Sequence, residues 1–103
     1  MDCGCKKATT KLLLEGEYGA DPVWCGVCQY NIELDELPID AQLMNELLEW
    51  GNSYGQWVDL EAGQFVDGGE AMEAEHNKAG ALLAKKLQMA LQGVTVTFNE
   101  SMM

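Results

Sequence analysis

The sequence predicts an α+β domain, and two features carry that reading. Apolar residues recur at three- and four-residue steps in two stretches, Leu43 to Trp57 and Met72 to Leu91. Flanking them are a Leu-rich segment near the N-terminus and Val94-Thr95-Val96-Thr97-Phe98, which alternates strictly. At 103 residues the chain is expected to be one domain, residues 1–103, with room for a single core. The expected architecture is a small sheet of the N-terminal strand, a short second strand and the C-terminal strand, with both helices packed on one face.

Residues 1–8 read as a tail unless their cysteines anchor them. Thr9 to Tyr18 reads as a strand, with Leu12, Leu14, Gly16 and Tyr18 on one face and Lys11, Leu13, Glu15 and Glu17 on the other. Gly19-Ala20-Asp21-Pro22 is turn chemistry, and it delivers Val23 and Trp24 to a Cys25-Gly26-Val27-Cys28 turn. Tyr30, Ile32 and Leu34 then alternate with polar residues as a short strand, so the cysteine turn resembles that of a zinc-ribbon hairpin.

Asp40 is the expected N-cap of a helix that runs to about Gln56. Its stripe is Leu43, Leu47, Trp50, Tyr54 and Trp57, widened by Met44 and Leu48; Gly51 and Gly55 signal a close neighbour or an early end. Trp57 to Phe65, centred on Gly63, reads as an irregular loop. After the Asp67-Gly68-Gly69 turn, a second helix spans about Glu70 to Gln92. Its stripe is Met72, His76, Ala79, Leu83, Leu87, Ala90 and Leu91, with Gly93 ending it. Val94 to Phe98 is the clearest strand, and residues 99–103 are expected to fray.

Charge is the unusual bulk property. Six Lys, no Arg and 17 acids give a net charge of −11, and from Leu12 to Asn77 there are 15 acids and no Lys or Arg. Such a field repels phosphate backbones and offers no guanidinium fork, which argues against direct nucleic-acid binding. It favours encounter with a basic protein partner. The N-terminal Met-Asp-Cys-Gly-Cys-Lys-Lys is not read as a signal peptide, and no apolar run is long enough to span a bilayer. A cytoplasmic protein, a monomer or weak dimer, is therefore expected.

Four cysteines carry the remaining chemistry. Cys3 and Cys5, then Cys25 and Cys28, form two close pairs that together supply the tetrahedral sulfur set of one structural zinc ion per chain. Four thiolates leave no open position, so such a centre is structural and not catalytic. The competing reading is a Cys25–Cys28 redox pair. It is disfavoured because no helix follows Cys28 and the acidic surroundings raise a thiol pKa. His76 lies on an apolar stripe and reads as a hydrogen-bonded residue at the core's edge, with metal ligation the alternative. Trp50, Tyr54 and Trp57 read as core, with exposure in a binding patch the alternative. No phosphate loop, nucleophile elbow or metalloprotease helix is present, so no enzyme is expected.

One pattern extends over roughly residues 18–98. Tyr18, then Pro22-Val23-Trp24, precede Leu37-Pro38 opening a helix with Leu43, Leu47, Trp50 and Tyr54. A Gly80-x-Leu82-x-x-Lys85-Lys86-Leu87 helix and a closing Val94-x-Val96-x-Phe98 strand follow. The order resembles a set of small uncharacterised bacterial proteins. That resemblance implies a bacterial source and an α+β fold but no activity, and those proteins generally lack these cysteines. The leading functional expectation is a zinc-stabilised protein-interaction or regulatory module. The alternatives are an acidic inhibitor or immunity-type protein that blocks a basic partner through residues 12–77, and a Cys-x-x-Cys thiol oxidoreductase.

Overall fold

The computed structural model describes residues 9–101. Strands β1 (Lys11–Leu14), β2 (Val23–Cys25), β3 (Asn31–Ile32) and β6 (Thr95–Phe98) form one sheet in the order β3-β2-β1-β6. β1 with β2 and β2 with β3 pair antiparallel, with Leu12 opposite Cys25 and Trp24 opposite Asn31. β6 lies parallel to β1, with Leu12 opposite Val96. The sheet has one more strand than expected, because Val23 to Cys25 pairs on both sides and does not merely lead into the cysteine turn.

Alternation decides which face of the sheet is covered. Leu12, Leu14, Val23, Cys25 and Ile32 point inward and join Leu43, Leu47, Trp50, Leu83, Leu87 and Leu91 in one core, so both helices cover the same face. The strand expected over Thr9 to Tyr18 shortens to Lys11–Leu14, where the expected faces hold, and Tyr18 lies beyond it, 46% exposed.

Helix α1 (Ala41–Asn52) starts as expected: the Asp40 carboxylate accepts the Leu43 N–H at 2.8 Å. It ends a turn earlier than the periodicity extends. Gly55 adopts φ 82° against the Tyr18 ring, a left-handed position that only glycine takes without strain. Tyr54 and Trp57 therefore leave the helix but keep their aromatic contacts in the turn that follows. The segment expected to be irregular forms a minimal hairpin of β4 (Val58–Asp59) and β5 (Gln64–Phe65).

Helix α2 (Gly69–Ala90) buries His76, Gly80, Leu83, Ala84 and Leu87, whereas Met72, Ala79 and Ala90 of the expected stripe face outward. Gly80 in place of Ala79 at the contact is what lets α2 seat closely on its neighbours. Residues 99–101, expected to fray, are fastened. Ser101 exchanges hydrogen bonds with Asn77 at 2.8 and 3.0 Å, and its hydroxyl donates to Glu73 at 2.9 Å. Among the described residues no helix is long and apolar enough to cross a membrane.

Candidate functional site

An open groove of about 790 Å³ runs between α1 and α2. The same periodicity that seats Leu43, Leu47 and Trp50 in the core brings Glu46 and Glu49 to the α1 wall. On the α2 wall the corresponding residues are Met72, Glu75, Leu82 and Lys86. Leu82 is 56% exposed and Met72 39%, so the groove presents apolar surface to solvent. Lys86 pairs with Glu46 at 2.8 Å, and this contact holds the Glu46 carboxyl below its ordinary range. Glu49 and Glu75 have no basic partner within ion-pair distance among the described residues. The rim is therefore acidic and the floor aromatic.

That floor is built around His76. Its ring lies 4.3 Å from the Trp50 ring and nearly parallel to it, and 4.7 Å from Trp57. The Trp50 indole N–H donates to the His76 carbonyl at 2.8 Å. The Ser53 hydroxyl donates to the Trp50 carbonyl at 2.7 Å and stands 3.3 Å from His76 Nδ1. With its single proton directed at the closer acceptor, Ser53 offers His76 a lone pair, which selects the tautomer carrying hydrogen on Nδ1. Burial disfavours the charged ring and lowers its pKa to about 4, against an upward pull from Glu73. His76 is thus a buried, neutral ring in hydrogen-bond contact with Ser53 at the core's edge. Trp57 is also buried, and its indole N–H has no acceptor among the described residues.

The second feature is the cysteine turn, which caps the β2–β3 hairpin. Cys25 is fully buried and Cys28 is exposed. The Val27 and Cys28 backbone N–H groups point at Cys25 Sγ from 3.4 and 3.5 Å, and Gln29 N–H returns to the Cys25 carbonyl at 2.9 Å. Burial pushes the Cys25 thiol up. Hydrogen bonds from the Cys28 and Val27 amides, the Thr9 hydroxyl and the Cys28 thiol outweigh that and bring its pKa down to about 6. The sequence expectation had the opposite sign, because it weighed only the acidic surroundings and not the amides of the turn.

The oxidoreductase reading gains nothing from this lowered pKa. The activated sulfur is the buried one, and Cys28 is followed by a turn and β3 instead of a helix N-terminus. Of the four expected zinc ligands, the structure brings Cys25 and Cys28 together, while Cys3 and Cys5 lie outside the described residues. No group of three or more His, Cys, Asp or Glu residues suited to a metal ion occurs among the described residues, so His76 does not join the cysteine turn. The zinc-ribbon likeness accordingly rests on the hairpin and turn alone.

The α1–α2 groove was the feature that sequence reasoning missed. Its signal was available in part: Glu46 sits four residues before Trp50, while Glu49 and Glu75 directly precede Trp50 and His76. A family model described as Serratia CdiI immunity protein-like matches residues 10–101, from the edge of β1 to beyond β6. No curated protein matches the chain.

Proposed function

The chain belongs to the Serratia CdiI immunity protein-like family, and on that premise we propose that it is an immunity protein that binds a protein toxin and neutralises it. The match across nearly the whole described fold is the observation that carries this reading. It favours the inhibitor alternative over a regulatory module built around zinc, and it needs no catalytic residue in this chain.

The face we assign to the toxin is the α1–α2 groove. Its occupant is a basic segment of the partner, whose Lys or Arg side chains meet Glu49 and Glu75 while apolar residues settle on Met72 and Leu82. Charge complementarity argues for this choice, since a net charge of −11 steers a basic partner and disfavours an acidic one. The aromatic floor supplies the large, rigid area on which interface energy concentrates.

Growth rescue tests the reading. Cells expressing the toxin encoded in the gene's neighbourhood should stop growing and recover when this chain is co-expressed. Absence of rescue would sink the immunity reading. A Glu49→Lys, Glu75→Lys double variant should fold normally, since both positions are exposed, yet bind the purified toxin at least tenfold more weakly. Undiminished binding by that variant would move the toxin interface elsewhere on the surface.

A further inference from the structure

We propose that the outer edge of β6 is a strand-pairing surface for a second copy of this chain, and that the Gln88 side chain holds it closed. Gln88, Val94 and Val96 do not line the α1–α2 groove, and the role of this edge is independent of the immunity reading.

Among the described residues β6 ends the sheet, with β1 on one side and no strand on the other. Thr95 and Asn99 donate their N–H groups to the Thr10 and Leu14 carbonyls at 2.8 and 2.9 Å. Successive residues of a strand bond to opposite sides, so Val94, Val96 and Phe98 turn their backbone groups away from β1. Gln88 of α2 meets them there. Its side-chain amide donates to the Val94 carbonyl at 2.6 Å and accepts the Val96 N–H at 2.8 Å. A residue of a parallel neighbour opposite Thr95 would make the same two bonds. The side chain thus stands in for one peptide unit of a further strand. Beyond it the Val96 carbonyl and the Phe98 N–H still face outward.

Composition shows why such a stand-in matters. Edge strands are commonly kept from pairing by charged residues or proline. Residues 87–99 carry no Asp, Glu, Lys, Arg or Pro. Val94, Val96 and Phe98 pack against the core yet stay only partly buried, which leaves apolar surface at the rim for a neighbour to cover. The strand is also self-complementary. In an antiparallel pair about a two-fold axis, Val96 faces its own counterpart and Val94 faces the partner's Phe98, so each outward donor meets an outward acceptor. A net charge of −11 on each copy opposes that encounter. Charge and Gln88 together keep the parent chain monomeric, and only Gln88 acts at this edge in particular.

Sedimentation of the full chain over a wide range of concentration reads the state of association. The parent should stay monomeric. Gln88 is exposed, so Gln88→Ala should fold normally, yet dimerise at least about tenfold more tightly than the parent. Added salt should tighten that dimer by screening like charges, the reverse of its effect on a basic toxin. Amide hydrogen exchange locates the contact, because the Phe98 N–H should become protected in the Gln88→Ala dimer. Adding Val96→Pro removes an outward N–H without breaking the β1 ladder and should restore the monomer. A Gln88→Ala variant that stays monomeric would overturn the proposal, as would a parent chain that already pairs through β6. A dimer that persists with Val96→Pro, or that leaves Phe98 unprotected, would place the contact elsewhere and sink the assigned surface. Protection of Phe98 by bound toxin alone would give the edge to that partner and rule out self-pairing.

Discussion

The His76 ring lies face to face with the Trp50 ring, 4.3 Å away and 14° from parallel, while the Trp50 indole N–H donates to the carbonyl of the same histidine. Helices α1 and α2 are joined at this one point by stacking and by a buried hydrogen bond. The groove floor is consequently tied to the core beneath it.

Stability should therefore fall with acid in a window set by His76. The unfolded chain's imidazole takes a proton near pH 6.5, whereas burial among aromatic rings holds the folded ring's pKa at about 4. Because the folded pKa is the lower one, stability is complete above pH 6.5, declines as pH falls towards 4, and levels off below. At pH 5 the loss from this residue is about 2 kcal/mol. Urea unfolding at pH 7.5 and pH 5 should show a smaller drop for His76→Gln than for the parent chain. Carboxylates common to both proteins cancel in that comparison, so equal drops would mean that His76 is not shielded.

Gly80 controls how closely the layers meet. A Cβ there would stand 2.5 Å from Phe98 Cε1 and 2.7 Å from Trp50 Cζ2. Helix propensity favours alanine by about 1 kcal/mol, but overpacking costs about 1–3 kcal/mol, and neither ring is a flexible side-chain end. Gly80→Ala should therefore lower the unfolding free energy by roughly 1–2 kcal/mol. A stabilised variant would show that α2 can slide away from β6 at little cost.

The left-handed Gln29 gives a prediction of opposite sign. Glycine adopts φ 65° freely, so Gln29→Gly should raise stability by about 0.5–1 kcal/mol, less than the full strain because glycine also loosens the unfolded chain. Urea unfolding of the variant beside the parent chain is the test. Destabilisation would mean that the Gln29 side chain contributes more than its backbone costs.

Elements with strong local signals were legible in the sequence. The Asp40 cap, the strict alternation of β6 and the inward leucines of β1 needed only short-range chemistry. What escaped was settled by partners distant in the chain. Val23 to Cys25 is too short to declare itself a strand, and it becomes one by pairing with both β1 and β3. The α1 stripe continues on paper to Trp57, yet the helix stops because Tyr18 occupies the space beside Gly55. His76, Leu83, Leu87 and Leu91 of the α2 stripe are buried as expected, but Gly80 takes the place given to Ala79, because glycine carries no hydrophobic signal although its neighbours approach closely there. The groove was hidden for a related reason: its acids look like an ordinary solvated helix face until two helices bring them to opposite rims.

Lys86 provides a test of those rims that leaves the fold alone. Its Nζ meets Glu46 Oε2 at 2.8 Å, but the lysine side chain is 56% exposed. An ion pair so open to water contributes little to stability, so Lys86→Gln should leave the unfolding midpoint unchanged within error. The same change frees Glu46 and makes the groove more negative by one charge. For a basic toxin segment docking there, association should speed up roughly two- to fourfold at low ionic strength. That gain should fade as salt shortens the screening length to about 8 Å near 0.15 M. Stopped-flow association at two salt concentrations measures it directly. An unchanged rate at low salt would place the encounter surface away from α1 and α2, even if the immunity activity itself is confirmed.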